Sequence, residues 1–123
     1  MTEKEKLYEV MGELLFAVAK ADGIVQEQEK ESLKSLLSNH PWANEIMWSF
    51  NYEDKKQSSV EDLYKKVISF CQSYGPASEY KEFVEAMKVI ADSSNGIDEQ
   101  ESSIINSFSE DLITRFQEDI SVK

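Results

Sequence analysis

An all-α domain is what this sequence predicts, on three observations. Apolar residues recur at three- and four-residue steps along almost the whole chain. No stretch alternates with the two-residue period of a half-buried strand. Gly23, Pro41, the Gly75-Pro76 pair and the polar run at 93–96 break the apolar stripes into lengths that suit helices. With 123 residues and 41% hydrophobic side chains, residues 1–123 form one domain. A chain of that size buries about two-thirds of its unfolded surface without a disulfide or structural metal.

The elements follow in order. Leu7, Met11, Leu14, Leu15 and Val18 share one face of a first helix over about residues 3–21, which Gly23 ends. Leu33, Leu36 and Leu37 mark a second. Asn39-His40-Pro41 stops it, because proline disfavours helical geometry in the residue before it. Trp42, Ile46, Met47 and Phe50 fit a short third helix, and the polar residues 51–57 are the longest gap in the apolar pattern. Ser58 with Glu61 has the form of a capping box opening a fourth helix, which carries Val60, Leu63, Tyr64, Val67, Ile68 and Cys71. Gly75-Pro76 is a strong stop. Tyr80, Phe83, Val84, Met87 and Ile90 form the stripe of a fifth helix. Asp98 caps a sixth with Ile104, Ile105 and Phe108, and Ser109 begins a seventh with Leu112, Ile113, Phe116 and Ile120.

The charge balance excludes several functions. There are 24 acidic against 13 basic side chains, a formal charge of -11, which opposes nucleic acid or anionic lipid as the main partner. Residues 89–119 hold eight acids and one base, Arg115, so -7 of that charge sits in the C-terminal third. Such a surface suits a protein partner with a basic face, or simply keeps a small protein soluble. One His, one Cys and four Gly leave no material for a His/Cys metal cage, a nucleophile–histidine pair or a phosphate-cradling loop, so a non-enzyme is expected. The amino-terminal apolar residues are interrupted by Glu and Lys, unlike a signal peptide. No run approaches the ~18 apolar residues of a membrane span. With Cys71 as the lone cysteine, a reducing, cytoplasmic setting is expected.

One phrase occurs twice. Ala21-Asp22-Gly23-Ile24-Val25 leads into a helix with Glu29 in its first turn, and Ala91-Asp92, a longer Ser/Asn/Gly turn and Ile97-Asp98 lead into one with Glu101. Asp92 follows Asp22 by 70 positions and Glu101 follows Glu29 by 72, so the second turn is two residues longer. The pattern suggests two helical halves, roughly 3–57 and 58–120, as pseudo-repeats of one bundle.

On these residues the chain resembles the TerB-like family, the tellurite-resistance B domain and its relatives. Its hallmark is a helix ending in a small-Ala-Asp-Gly turn before a helix with Glu in its first turn, here Ala19-Lys20-Ala21-Asp22-Gly23 with Val25 and Glu29. A weaker copy is Ile90-Ala91-Asp92 with Ile97, Asp98 and Glu101. The resemblance runs over roughly residues 7–116. Gln26 stands where the family often has Asp or Ser, and Asn95 where the second turn would have its close Gly. What it implies is a bundle of about seven helices in a bacterial protein tied to tellurite or general chemical stress, with a divalent cation held by the acidic turns.

If the turns meet, Asp22, Glu29, Asp92, Asp98 and Glu101 converge as oxygen ligands of the kind Ca²⁺, Mg²⁺ or Mn²⁺ take. Acids at helix starts equally serve as caps, worth about 0.5 to 2 kcal/mol each. The first turn is no EF-hand, lacking its alternating ligands and bidentate Glu. Two rivals stand beside the cation module: an acidic interaction or immunity protein that binds no metal, and a hydrolase with paired carboxylates about 5 to 9 Å apart. His40 reads as a loop residue and Cys71 as a small buried hydrophobe. Trp42 and Phe50 are expected in the core, with Trp42, Trp48 and Phe50 as the competing exposed patch. Tyr64, Tyr74 and Tyr80 flank the Gly75-Pro76 hinge as core edge or groove lining.

Overall fold

The computed structural model describes residues 3–21, 25–75, 77–93 and 99–114. Among the described residues six α-helices run in chain order: α1 Glu3–Lys20, α2 Glu27–Leu36, α3 Ala43–Lys56, α4 Val60–Tyr74, α5 Glu79–Asp92 and α6 Glu99–Phe108. A π-helical segment, Ser109–Thr114, continues from α6. No strand occurs among the described residues. Ser109 therefore extends the sixth helix in a widened form instead of opening a seventh: nothing between Phe108 and Ser109 breaks the chain, and both Phe108 and Leu112 stay fully buried. Phe116 and Ile120, expected in the seventh helix, lie outside the described residues.

α1 is the axle of the bundle and packs against α3, α4, α5 and α6. The sequence marks one apolar face on it. In the fold nearly its whole circumference is buried from Leu7 to Ala19, as befits a helix enclosed by others. Small residues allow this. At Gly12 an added Cβ would lie 2.4 Å from the Ile46 carbonyl oxygen and 2.9 Å from Ser49 Cβ, so α3 crosses where α1 has no side chain. Ser49 Oγ donates to the Glu9 carbonyl at 2.6 Å across the same contact, and Phe16 meets Phe50 edge to face at 5.8 Å.

Two boundaries differ from the sequence reading. Residues 51–57 are not a gap: α3 continues to Lys56 because Glu53 turns inward, 4% exposed, while its polar neighbours face water. Gln57 then ends the helix in the left-handed region at φ 56°. The cap of α4 is Ser59, whose Oγ accepts the Asp62 N–H at 3.4 Å. Ser58 instead donates to Glu53 Oε1 at 2.5 Å, tying the end of α3 to the start of α4.

At the far end of α4, the Gly75 N–H closes onto the Cys71 carbonyl at 2.9 Å and the chain turns at φ 94°. The buried Tyr80 hydroxyl points between the carbonyls of Gly75, at 2.7 Å, and Cys71, at 3.1 Å. α5 is thereby latched to α4. Tyr80, Phe83 and Phe108 then form one aromatic cluster, with centroids 5.9 to 6.2 Å apart, that joins α5 to α6. α2 and α6, the helices that follow the two acidic turns, both pack on α5.

Candidate functional site

The five acids of the repeated phrase fall into three groups. Asp22 and Asp98 lie outside the described residues. Asp92 is the last residue of α5 and is exposed. Glu29 and Glu101 occupy the third position of α2 and of α6, and both are withdrawn from water, at 0% and 2% exposure. Glu29 Oε1 accepts the Gln26 N–H at 2.7 Å, the reciprocal half of a capping box, so Gln26 is the residue before the helix and its side-chain type does not break the cap.

Capping explains why Glu stands at the third position but not why it is buried, since a capping carboxylate works equally well in water. Burying a carboxylate costs several kcal/mol unless partners compensate. Two such burials stand at matching positions of the two turn helices. Ala21, which opens the first turn, lines the same shallow hollow as Glu99 and Gln100 of α6, with Val60, Ser103 and Ile104 completing about 430 Å³. Ala21 and the start of α6 are thus neighbours. Oxygen donors of this type suit hard divalent cations. Among the described residues no three His, Cys, Asp or Glu side chains come together as a metal cluster.

Two further polar groupings carry no local signature in the sequence. In the first, Glu13 of α1, 8% exposed, pairs with Lys66 of α4 at 3.3 Å. Burial holds its carboxyl above the usual range, with Lys66 pulling the other way and Glu53 adding repulsion. In the second, His40 occupies the loop between α2 and α3, as expected, yet it is well engaged. Its Nδ1 accepts the Trp42 N–H at 2.9 Å, so the neutral ring carries its hydrogen on Nε2, which meets Glu82 Oε1 in a short hydrogen bond. The Tyr8 hydroxyl donates to Glu82 Oε2 at 3.4 Å. Tyr8 also stacks on Trp42 at 5.5 Å and meets the His40 ring edge at 5.2 Å. Burial, then the nearby Glu82 and Glu79 carboxylates, push the Tyr8 phenol up to about 12. These partners are 42 and 74 residues apart in sequence, so only the fold brings them together.

The other singled-out residues divide between core and surface. Phe50 is fully buried and Trp42 packs on the core edge. Trp48 stays 60% exposed, stacked on Tyr52 at 5.5 Å with Lys56 Nζ 5.9 Å from the Tyr52 ring centroid. Cys71 is buried, and that burial pushes its thiol up to about 12, so it behaves as a hydrophobe. Tyr80 is in the core, whereas half-buried Tyr64 donates to Asp111 at 2.9 Å.

Fold and site together define a small helical module whose inner axle is largely apolar, whose charge is acidic, and whose two turn helices each carry a buried glutamate at their third position. The chain belongs to the TerB family: the family model described as tellurite resistance protein TerB matches residues 9–117. Comparison with curated proteins and with solved structures finds no match. No helix among the described residues is long and apolar enough to cross a membrane.

Proposed function

We propose that this protein is a non-catalytic TerB-type module that takes a divalent cation through its acidic turns, in a cytoplasmic bacterial response of the stress or tellurite-resistance type. The observation that carries the reading is the full burial of Glu29 and Glu101 at matching positions after the two turns. A cation adds to the partners these two carboxylates already have, and it does so most effectively where the dielectric is low. Glu29 and Glu101 hold the ion from the helix starts, with Asp22, Asp92 and Asp98 as the remaining oxygen donors. Ca²⁺, Mg²⁺ and Mn²⁺ are the ions such donors select. Binding fastens the first turn to the start of α6 and stiffens one end of the bundle, which is how a module without catalysis reports a change in its surroundings.

Calorimetric titration of the metal-free protein with Ca²⁺, Mg²⁺, Mn²⁺ and Zn²⁺ tests this. The expected result is saturable heat with one of the first three ions, lost in Glu29→Gln with Glu101→Gln and weakened in Asp22→Asn with Asp92→Asn. At one hundred times its dissociation constant the ion should raise stability by about 2.7 kcal/mol. Absence of heat with every ion would leave the acids as caps.

A further inference from the structure

Between the C-terminal end of α2 and the outer face of α5 lies a pocket of about 130 Å³ that shares no residue with the acidic turns. Its apolar lining is Met11, Leu36, Leu37, Ala86 and Val89. Leu36 and Val89, on opposite helices, are 39% and 42% exposed, an arrangement that leaves aliphatic surface in water on both sides. The polar lining is His40, Glu82 and Glu85, and no lysine or arginine contributes. A volume near the ~150 Å³ of a cavity that takes benzene admits one side chain and little more.

The acidic rim is built, not merely present. His40 holds one Glu82 oxygen and Tyr8 the other, and His40 is itself fixed by the Trp42 N–H. Each Glu82 oxygen keeps a second acceptor site, and the side chain remains 40% exposed. Glu85 stands one turn further along the same face of α5 and is exposed. Among the described residues no lysine or arginine pairs with either.

The geometry points to an arginine side chain of a partner protein as the occupant of this pocket, its aliphatic stem between Leu36 and Val89 and its guanidinium on Glu82 and Glu85. The chemistry matches at each point. An arginine stem covers apolar surface while its head stays polar, and the planar fork satisfies two carboxylates as a compact ammonium does not. A carboxylate already oriented by His40 and Tyr8 loses little freedom on binding. The charge of -11 draws a basic partner toward the site.

The test is an NMR titration of the methyl-labelled full chain, in chelator so that the acidic turns carry no ion, with n-butylguanidinium as the probe. The Met11, Leu36, Leu37 and Val89 methyl signals should shift and saturate with a dissociation constant of about 1 mM, suited to a fragment of this size. Butan-1-ol and guanidinium alone should bind at least tenfold more weakly, and so should Glu82→Gln with Glu85→Gln. The single Glu85→Gln change, at an exposed position, keeps the fold and should weaken binding several-fold. Equal binding of butan-1-ol would make the pocket a plain apolar dent, and equal binding of n-butylammonium would remove the preference for arginine. Either result, unchanged binding by the double variant, or no shift at all, overturns the proposal. Because the acidic turns are not involved, it stands or falls independently of cation binding.

Discussion

Replacing Gly12 with alanine probes the contact on which the bundle turns. The new Cβ would lie 2.4 Å from the Ile46 carbonyl oxygen, 3.2 Å from its carbon and 2.9 Å from Ser49 Cβ. The first two are backbone atoms and cannot swing aside, so α1 and α3 must separate by roughly 1 Å to restore ordinary contact distances near 3.5 Å. Overpacking of this kind costs about 1 to 3 kcal/mol. Separation also stretches the 2.6 Å bond from Ser49 Oγ to the Glu9 carbonyl, worth about 1 kcal/mol, and loosens Phe16 on Phe50. Against this, alanine gains about 1 kcal/mol over glycine as a helix former. The sum is a net loss of about 1 to 3 kcal/mol, which for a domain of this size lowers the melting temperature by about 4 to 12 °C. Urea unfolding followed by circular dichroism at 222 nm measures it, with Gly75→Ala as the comparison. There nothing lies within 4 Å and only the positive φ is strained, so the loss should be nearer 1 kcal/mol. A Gly12→Ala protein as stable as the parent, or more so, would refute the close approach of α1 and α3.

Other outcomes follow from the same geometry. Burial raises the Glu13 carboxyl despite Lys66, so ionising Glu13 costs stability as pH rises from its ordinary 4.5 through the raised value. Glu13→Gln should therefore be at least as stable as the parent at pH 7, with the advantage vanishing below about pH 4 in urea midpoints. Cys71, with its thiol pushed up to about 12, should react with an aromatic disulfide reagent only as fast as the protein opens, and at full speed in denaturant. His40→Ala removes the acceptor of the Trp42 N–H and a partner of Glu82; a loss of about 1 to 3 kcal/mol and a shift in tryptophan emission should result.

The order of the helices was readable because each needs an apolar stripe at helical spacing, and Gly75 and Pro41 interrupt those stripes where the chain turns. Where polar residues point inward the pattern misleads. Glu53 is buried within an otherwise polar stretch, so α3 reads as ending a turn or more early. Ser58 and Ser59 are adjacent, and only the Glu53 contact decides which of them caps α4. The enclosure of α1 follows from neighbours on several sides, of which a single-helix pattern carries no trace. At the candidate site, Glu29 and Glu101 were legible from the repeated phrase, but their complete burial was not. The His40, Glu82, Tyr8 and Trp42 grouping depends on contacts across two helices and a loop, and spacing along the chain holds no record of it.

The most direct test of the cation reading is paramagnetic broadening of backbone amide signals on adding substoichiometric Mn²⁺ to the ¹⁵N-labelled protein. One ion shared by the two turns predicts that signals of Ala21, Gln26 and Glu29 fade together with those of Glu99, Gln100 and Glu101, while Tyr52 on the outer face of α3 is unaffected. Fading confined to one of the two groups, or spread evenly over the acidic surface, would contradict a shared site.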